Sequence, residues 1–229
     1  MLLGQQLAYV ILNCLGLDTR PHFVLGSLAA MNLHSSWKDP RYLAAGNRRQ
    51  RRAYAVLQEL GILTTLGPFD PVVAGTIPLA IDLPSSDIDI ICEVPLGNSV
   101  AFEQLLRTHY GHLPAFRAGQ VASATGPALV SSFRYLEIEI EVFGQALPTE
   151  QQYAFRHLII EYAVLCAGGP AWRTAVRRLK AQGLKTEPAF AALLQLPGNP
   201  YEALLTLENL TPAELAARLA QVTLPANSR

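Results

Sequence analysis

Two aspartates one residue apart, Asp87 and Asp89, open an apolar run that reads Ser86-Asp87-Ile88-Asp89-Ile90-Ile91. In an extended strand the side-chain period is two, so both carboxylates project from one face while Ile88 and Ile90 enter the other. Aspartate is depleted in strands, and two like charges held side by side repel each other unless a cation sits between them. A polar strand face turned to water is the plainer account of such a pair. The β-branched run in which the two alternate favours a site instead. Hard carboxylate oxygens suit Mg²⁺, an ion that usually serves phosphate substrates.

Two further features fit that chemistry. Gly75-Thr76 closes a short apolar run upstream of the aspartates. Glycine lets a backbone approach a ligand closely, and a hydroxyl with free N–H groups in such a turn can hold a phosphate. Downstream, Leu136-Glu137-Ile138-Glu139-Ile140-Glu141-Val142 alternates strictly, which sets three glutamates on one face. A charged, solvent-facing antiparallel strand accounts for all three. A metal site needs only one of them, and Glu139 and Glu141 both lie on the correct face.

The elements that must position these groups follow from periodicity and punctuation. Residues 47–60 read as a helix, with Ala53, Val56, Leu57 and Leu60 on one side and Gly61 as the stop. Its first turn carries Arg48, Arg49, Arg51 and Arg52, positive charge that runs against the helix dipole. A solvated turn is one reading of the cluster, and a phosphate or RNA contact is the other. Pro71 to Ala74 reads as a short buried strand, Pro78 to Leu83 as a short helix or turn, and Ser86 to Val94 as the central strand. An amphipathic helix is expected over Val100 to Tyr110. Residues 113–124 fit a strand and a turn, and Ala128 to Phe143 fits one long strand or a bent pair. A helix over Thr149 to Ala167 is expected to start with Thr149 and Gln152 as a capping box. On it, Arg156 is a candidate cation for a phosphate, and His157 reads as a surface histidine bonded to Glu161. Gly168-Gly169-Pro170 separates this helix from the next, and Thr186 is the expected cap of a further one. Thr211-Pro212-Ala213-Glu214 opens the last with a capping box and proline at the first helical position.

Gly-Thr followed by Ser-Asp-Ile-Asp-Ile resembles the signature of the DNA polymerase beta-type nucleotidyltransferase superfamily: G-S or G-T, a spacer, D-x-D, and a third carboxylate on a neighbouring strand. More narrowly, the stretch from Trp37 to about Leu207 resembles an uncharacterised bacterial family with that core. The shared landmarks are YLAAGNRRQRRAY, AGTIPLAIDLPSSDIDIICE, EIEVFGQ, QYAFRH and GLKTEPAFA. The resemblance implies an α+β fold, a nucleotidyltransferase-type mixed sheet with flanking helices, followed by a helical C-terminal region. It implies a metal-dependent transfer of a nucleoside monophosphate from an NTP substrate to an acceptor hydroxyl. Asp87, Asp89 and Glu141 (alternatively Glu139) would hold two Mg²⁺ ions, and Gly75, Thr76, Ser86, Arg156 and Lys185 would bind the nucleotide. Two other classes stay open: a catalytically silent nucleotide-binding or interaction module, and a toxin–antitoxin or defence component that modifies a protein or RNA.

The chain of 229 residues has zero formal net charge and is half apolar. That composition suits a globular protein and argues against a general electrostatic binder of nucleic acid, so a small-molecule acceptor is favoured over a nucleic-acid one. Cys14, Cys92 and Cys166 are few, scattered and in apolar runs, as expected of reduced thiols in a cytoplasmic protein. The apolar stretch from Leu7 to Leu17 is too short to span a bilayer and lacks a preceding basic residue, so no membrane partner is expected. The expected organisation is an N-terminal extension over 1–36, with Met31 as a candidate start, a nucleotidyltransferase core over 37–147 and a helical region over 148–229.

Overall fold

A computed structural model describes residues 37–225; the expectations for residues 1–36, including the apolar segment over 7–17 and a start at Met31, lie outside them. The chain divides into two compact units, one spanning Trp37–Phe155 and the other taking up the chain from Arg156. No helix among the described residues is long and apolar enough to cross a membrane.

The first unit is built on a mixed five-stranded sheet. Its strands are β1 (Val72–Ala74), β2 (Ile88–Glu93), β3 (Arg117–Ser123), β4 (Gly126–Tyr135) and β5 (Ile138–Gln145), in the order β1-β2-β5-β4-β3. The strand that carries Asp89 is therefore second from the edge, and β5 occupies the centre where the sequence placed β2. β2 and β5 run parallel, and the remaining pairs are antiparallel. Of the two readings of residues 128–143, one long strand or a bent pair, the structure takes the pair, as a hairpin of β4 and β5. Leu136 and Glu137 form its tip with φ of 46° and 65°. That is the left-handed geometry whose twist suits a two-residue hairpin, and neither residue is one of the usual glycine or asparagine markers.

Alternation divides the sheet into two faces. Val73, Ile88, Ile90, Cys92, Leu129, Phe133, Ile138, Ile140 and Val142 form one core with residues of two helices, α1 (Arg48–Leu60) and α2 (Ser99–Tyr110). α1 contributes Ala53, Val56 and Leu57, and α2 contributes Phe102, Leu106 and Tyr110. α1 starts on a capping box of Asn47 and Gln50 and stops at Gly61 in the left-handed conformation. Asp89, Glu139 and Glu141 lie on the opposite face. Gly144 is packed so closely that a Cβ there would lie 2.7 Å from both Phe102 and Val94.

The second unit is helical: α3 (Tyr153–Ala181), α4 (Thr186–Leu193), α5 (Pro200–Leu205) and α6 (Pro212–Ala220). α3 is two helices joined at Gly169, whose φ of 68° and ψ of −159° break the path just before Pro170. This is the separation that Gly168-Gly169-Pro170 predicts. α6 opens on the expected capping box of Thr211 and Glu214.

Three local expectations fail, two of them because a longer-range partner takes the group. Thr149 does not cap α3: its hydroxyl donates to the Asp70 carbonyl at 2.8 Å, and residues 149–151 form a separate 3-10 turn. The Gln152 amide instead donates to the carbonyls of Cys92 and Leu147, at 2.9 and 3.0 Å. Thr186 is the first residue of α4, so Lys185 takes the capping position without a side-chain bond. His157 is buried rather than at the surface. Its Nε2 lies 2.8 Å from the Tyr201 carbonyl, an acceptor only, so Nε2 is the donor, and its Nδ1 lies 3.6 Å from Glu187.

Candidate functional site

The site is laid out by strand register. Asp89 pairs with Ala74 of β1 on one side and with Glu141 of β5 on the other. Paired residues of neighbouring strands share a face and stand about 4.8 Å apart, so the Asp89 and Glu141 carboxylates rise side by side from the sheet. Both are half-buried. The row continues through Ser132 of β4 to Arg117 of β3. Glu139 lies one step along the same face, but its carboxylate accepts from Arg117 Nη2 at 2.7 Å. That ion pair accounts for Glu139 as a sheet-surface residue, and it leaves Glu141 as the glutamate directly opposite Asp89.

Asp87 is one residue outside β2, so the expected pair on one strand is modified. Among the described residues, no three His, Cys, Asp or Glu side chains stand close enough together to form a metal-binding group. The strands thus supply a facing pair of hard oxygen ligands, and Asp87 stands at the mouth of the same strand.

Gly75 follows β1 and backs directly onto this pair. Its φ is +73°, and a Cβ added to it would lie 1.8 Å from Oδ2 of Asp89. Both the backbone conformation and the approach require glycine here. Thr76 and Ser86, at the two ends of the loop that joins β1 to β2, meet: Thr76 Oγ1 lies 3.2 Å from Ser86 Oγ, which also accepts from the Leu83 backbone N–H at 3.0 Å. Within the loop, the Ile81 N–H donates to the Thr76 carbonyl at 3.2 Å. Two hydroxyls and a glycine turn therefore sit beside the carboxylates, as a phosphate-binding turn would require.

Two residues of α1 hold this loop, and neither was among the expected site residues. Gln50 is buried and uses its whole amide: Oε1 accepts from the Asn47 N–H at 2.9 Å, and Nε2 donates to the carbonyls of Ile77 and Pro78 at 3.0 Å each. Arg49 Nη2 donates to the Ser86 carbonyl at 2.5 Å. The four-arginine turn carried a signal for Arg49, since cations oppose the dipole there. The capping pattern explains Gln50 at the helix end but does not reveal its second contact.

Arg156 and Lys185, the remaining expected residues, lie in the second unit. Arg156 is held by Glu208 through two bonds, Nε to Oε1 at 2.9 Å and Nη2 to Oε2 at 2.6 Å. Lys185 is exposed at the start of α4. Gln145, at the end of β5, donates to Ser123 Oγ and Thr125 Oγ1, at 3.0 and 2.6 Å, and so ties the β3–β4 turn. An apolar cleft lined by Val94, Leu96, Ala128 and Gly144 contains none of the candidate residues.

At low sequence identity the chain is similar to the following solved structures. A mutant of the Cid1 poly(U) polymerase bound to MgATP is 13% identical, with a TM-score of 0.45 over 77% of this chain and 53% of that one. The GLD-2/RNP-8 complex is 13% identical, with a TM-score of 0.43 over 89% and 56%. The polymerase core of TRAMP, an RNA surveillance complex, is 16% identical, with a TM-score of 0.42 over 82% and 62%. The chain spans little more than half the length of each. No curated protein matches the sequence. Residues 55–207, which run from α1 across the whole sheet to the end of α5, match the family described as a domain of unknown function, DUF4269, and the chain belongs to that family.

Proposed function

We propose that this protein transfers a nucleoside monophosphate from an NTP to an acceptor hydroxyl. The observation that carries the reading is the row Gly75, Asp89 and Glu141. Two carboxylates stand opposite each other on adjacent parallel strands, and a glycine turn approaches one of them too closely for any side chain.

The facing, half-buried carboxylates of Asp89 and Glu141 offer hard oxygen donors that suit Mg²⁺. Asp87, Asp89 and Glu141 would hold the ions, two in this reading. Bound there, Mg²⁺ would supply charge neutralisation to the attacking and leaving oxygens of an in-line displacement, with pyrophosphate as the leaving group. The chain's own residues bind and orient. Gly75, Thr76 and Ser86 offer a backbone turn and two hydroxyls to the phosphates, and Gln50 keeps that turn in place through Ile77 and Pro78. Glu141 lies beyond Asp89 from the turn, on the side where the acceptor hydroxyl would arrive. Such a site works chiefly through position and electrostatics. The zero net charge of the chain favours a small-molecule acceptor. The core of this activity would be residues 37–147, with 148–229 as a helical accessory region.

The test is calorimetric titration of ATP, GTP, CTP and UTP, with and without Mg²⁺, against the wild type and the Asp87→Asn/Asp89→Asn double variant. Metal-dependent binding of at least one nucleotide, lost in the double variant, is expected. A folded wild type that binds none of the four, or a double variant that binds as the wild type does, overturns the reading. Binding without turnover on any acceptor tried would favour the silent nucleotide-binding module.

A further inference from the structure

We propose that Arg49 is the cation that grips the phosphates of the incoming nucleotide, an inference that rests on the nucleotide reading above and deepens it. The guanidinium is planar, always charged, and presents five N–H donors in a fixed fork. In this structure Nη2 of Arg49 is fixed on the carbonyl of Ser86, the residue that joins the hydroxyl turn to Asp87. Nε is sealed from solvent and has no acceptor among the described residues. Arg49 as a whole is only half-buried, so the rest of its guanidinium is open to a ligand. A phosphate oxygen held by Thr76 and Ser86 would stand beside that open side of the fork and accept from it.

The surroundings show that the placement is built. α1 is anchored to the loop by Gln50 on the Ile77 and Pro78 carbonyls and by Arg49 on the Ser86 carbonyl, so the guanidinium is fixed relative to the turn. Arg48, Arg51 and Arg52 lie at the same helix end, all three exposed. Four cations in the first turn work against the helix dipole and would be selected against if they only faced water. Next to a polyanion the same charges become favourable. A triphosphate carries several negative charges, and carboxylates do not attract it. Arg49 supplies positive charge from the chain itself, one residue from Asp87.

The experiment is calorimetry with Mg²⁺ and inorganic tripolyphosphate, which has no base, and with the best-binding nucleoside triphosphate and its monophosphate. The proteins are the wild type, Arg49→Gln, Arg49→Lys and Asp89→Asn. Thermal melting of each variant is recorded beside the titrations. Loss of charge-assisted bonds predicts affinity for the triphosphate and for tripolyphosphate lowered about tenfold to a hundredfold in Arg49→Gln. A smaller loss is expected for the monophosphate. Arg49→Lys keeps the charge and can reach the Ser86 carbonyl but lacks the fork, so it should recover only part of the affinity. If Arg49→Gln does not fold, Arg49→Lys carries the same comparison. Wild-type affinity in the Arg49 variants, with binding lost in Asp89→Asn, overturns the role of Arg49 and leaves the nucleotide site standing. An equal loss for triphosphate and monophosphate also overturns it, because a loosened loop penalises both alike. A wild type that binds neither triphosphate nor tripolyphosphate removes the nucleotide site and this role together.

Discussion

Replacing Gly75 by alanine tests whether the turn after β1 is built around the Asp89 carboxylate. The added Cβ would sit 1.8 Å from Oδ2, 2.8 Å from Cγ and 3.2 Å from Cβ of Asp89. Rotation of the aspartate relieves the first two contacts but not the last, which belongs to the β2 backbone position. The carboxylate must therefore swing away by on the order of 1 Å or more, a displacement that costs a positioned site roughly a hundredfold in rate. Separately, the left-handed φ of +73° penalises alanine by about 1–2 kcal/mol in stability. Gly97 separates the two terms. It has φ of +92° and nothing within 4 Å of an added Cβ, so Gly97→Ala carries the backbone cost without the clash. Urea denaturation of both variants should show similar modest destabilisation. Titration with the Mg²⁺–nucleotide that the wild type binds, and initial rates once an acceptor is known, should show a large loss for Gly75→Ala and none for Gly97→Ala. Wild-type nucleotide affinity in Gly75→Ala, or equal losses in the two variants, would refute the claim that Gly75 and Asp89 form one site.

Glu141→Gln should abolish transfer, while Glu139→Gln should largely retain it and lose only an exposed ion pair with Arg117, worth about 0–1 kcal/mol; steady-state rates of the two variants decide between the glutamates. Gln50→Leu leaves the Ile77 and Pro78 carbonyls without their donor and should cost about 1–3 kcal/mol for each group left buried, read as a shift in the urea midpoint. Glu161 is fully buried, and its carboxyl is pushed well above the usual range, first by burial, then by Glu187, with Lys180 opposing. A raised carboxyl is held neutral in the folded protein, so its stabilising share is fully present below the ordinary value near 4.5 and is lost as pH rises toward the folded value. Glu161→Gln should therefore flatten the fall in melting temperature with rising pH above that point, and an unchanged pH profile would contradict the assignment.

How far the sequence reaches depends on the range of the interaction. α1 was legible because its signals are local: an apolar stripe and a glycine stop lie within one stretch of chain. The alternating glutamates likewise announced β5. Its partner did not follow, because parallel pairing of β2 with β5 is a register between distant segments, and that register decides that Glu141 rather than Glu139 faces Asp89. The β4–β5 turn was left open between one strand and a bent pair for a different reason. Leu136 and Glu137 adopt positive φ without glycine or asparagine, so the chain carries no marker of the break. Thr149 and His157 were assigned to the local partners their spacing offered. Each instead serves a residue far along the chain, Thr149 the Asp70 carbonyl and His157 the Tyr201 carbonyl. Spacing on one helix cannot register such competitors.

The residues that break local rules in the first unit converge on one loop. A glycine with positive φ is wedged against a carboxylate, arginines crowd a helix start where the dipole disfavours them, and a glutamine is buried with its whole amide committed. Each is a cost or an oddity in isolation, and a sequence selected for stability alone would scatter or remove them. Their convergence on the segment from Gly75 to Asp89 is what a functional site predicts, because sites are where local consistency is given up. The same logic separates Glu139 from Glu141. Glu139 pairs with Arg117 across the sheet surface, whereas Glu141 stands in register with another carboxylate, Asp89, on the neighbouring strand. The candidate site is thus marked by electrostatic placement that the fold alone does not need.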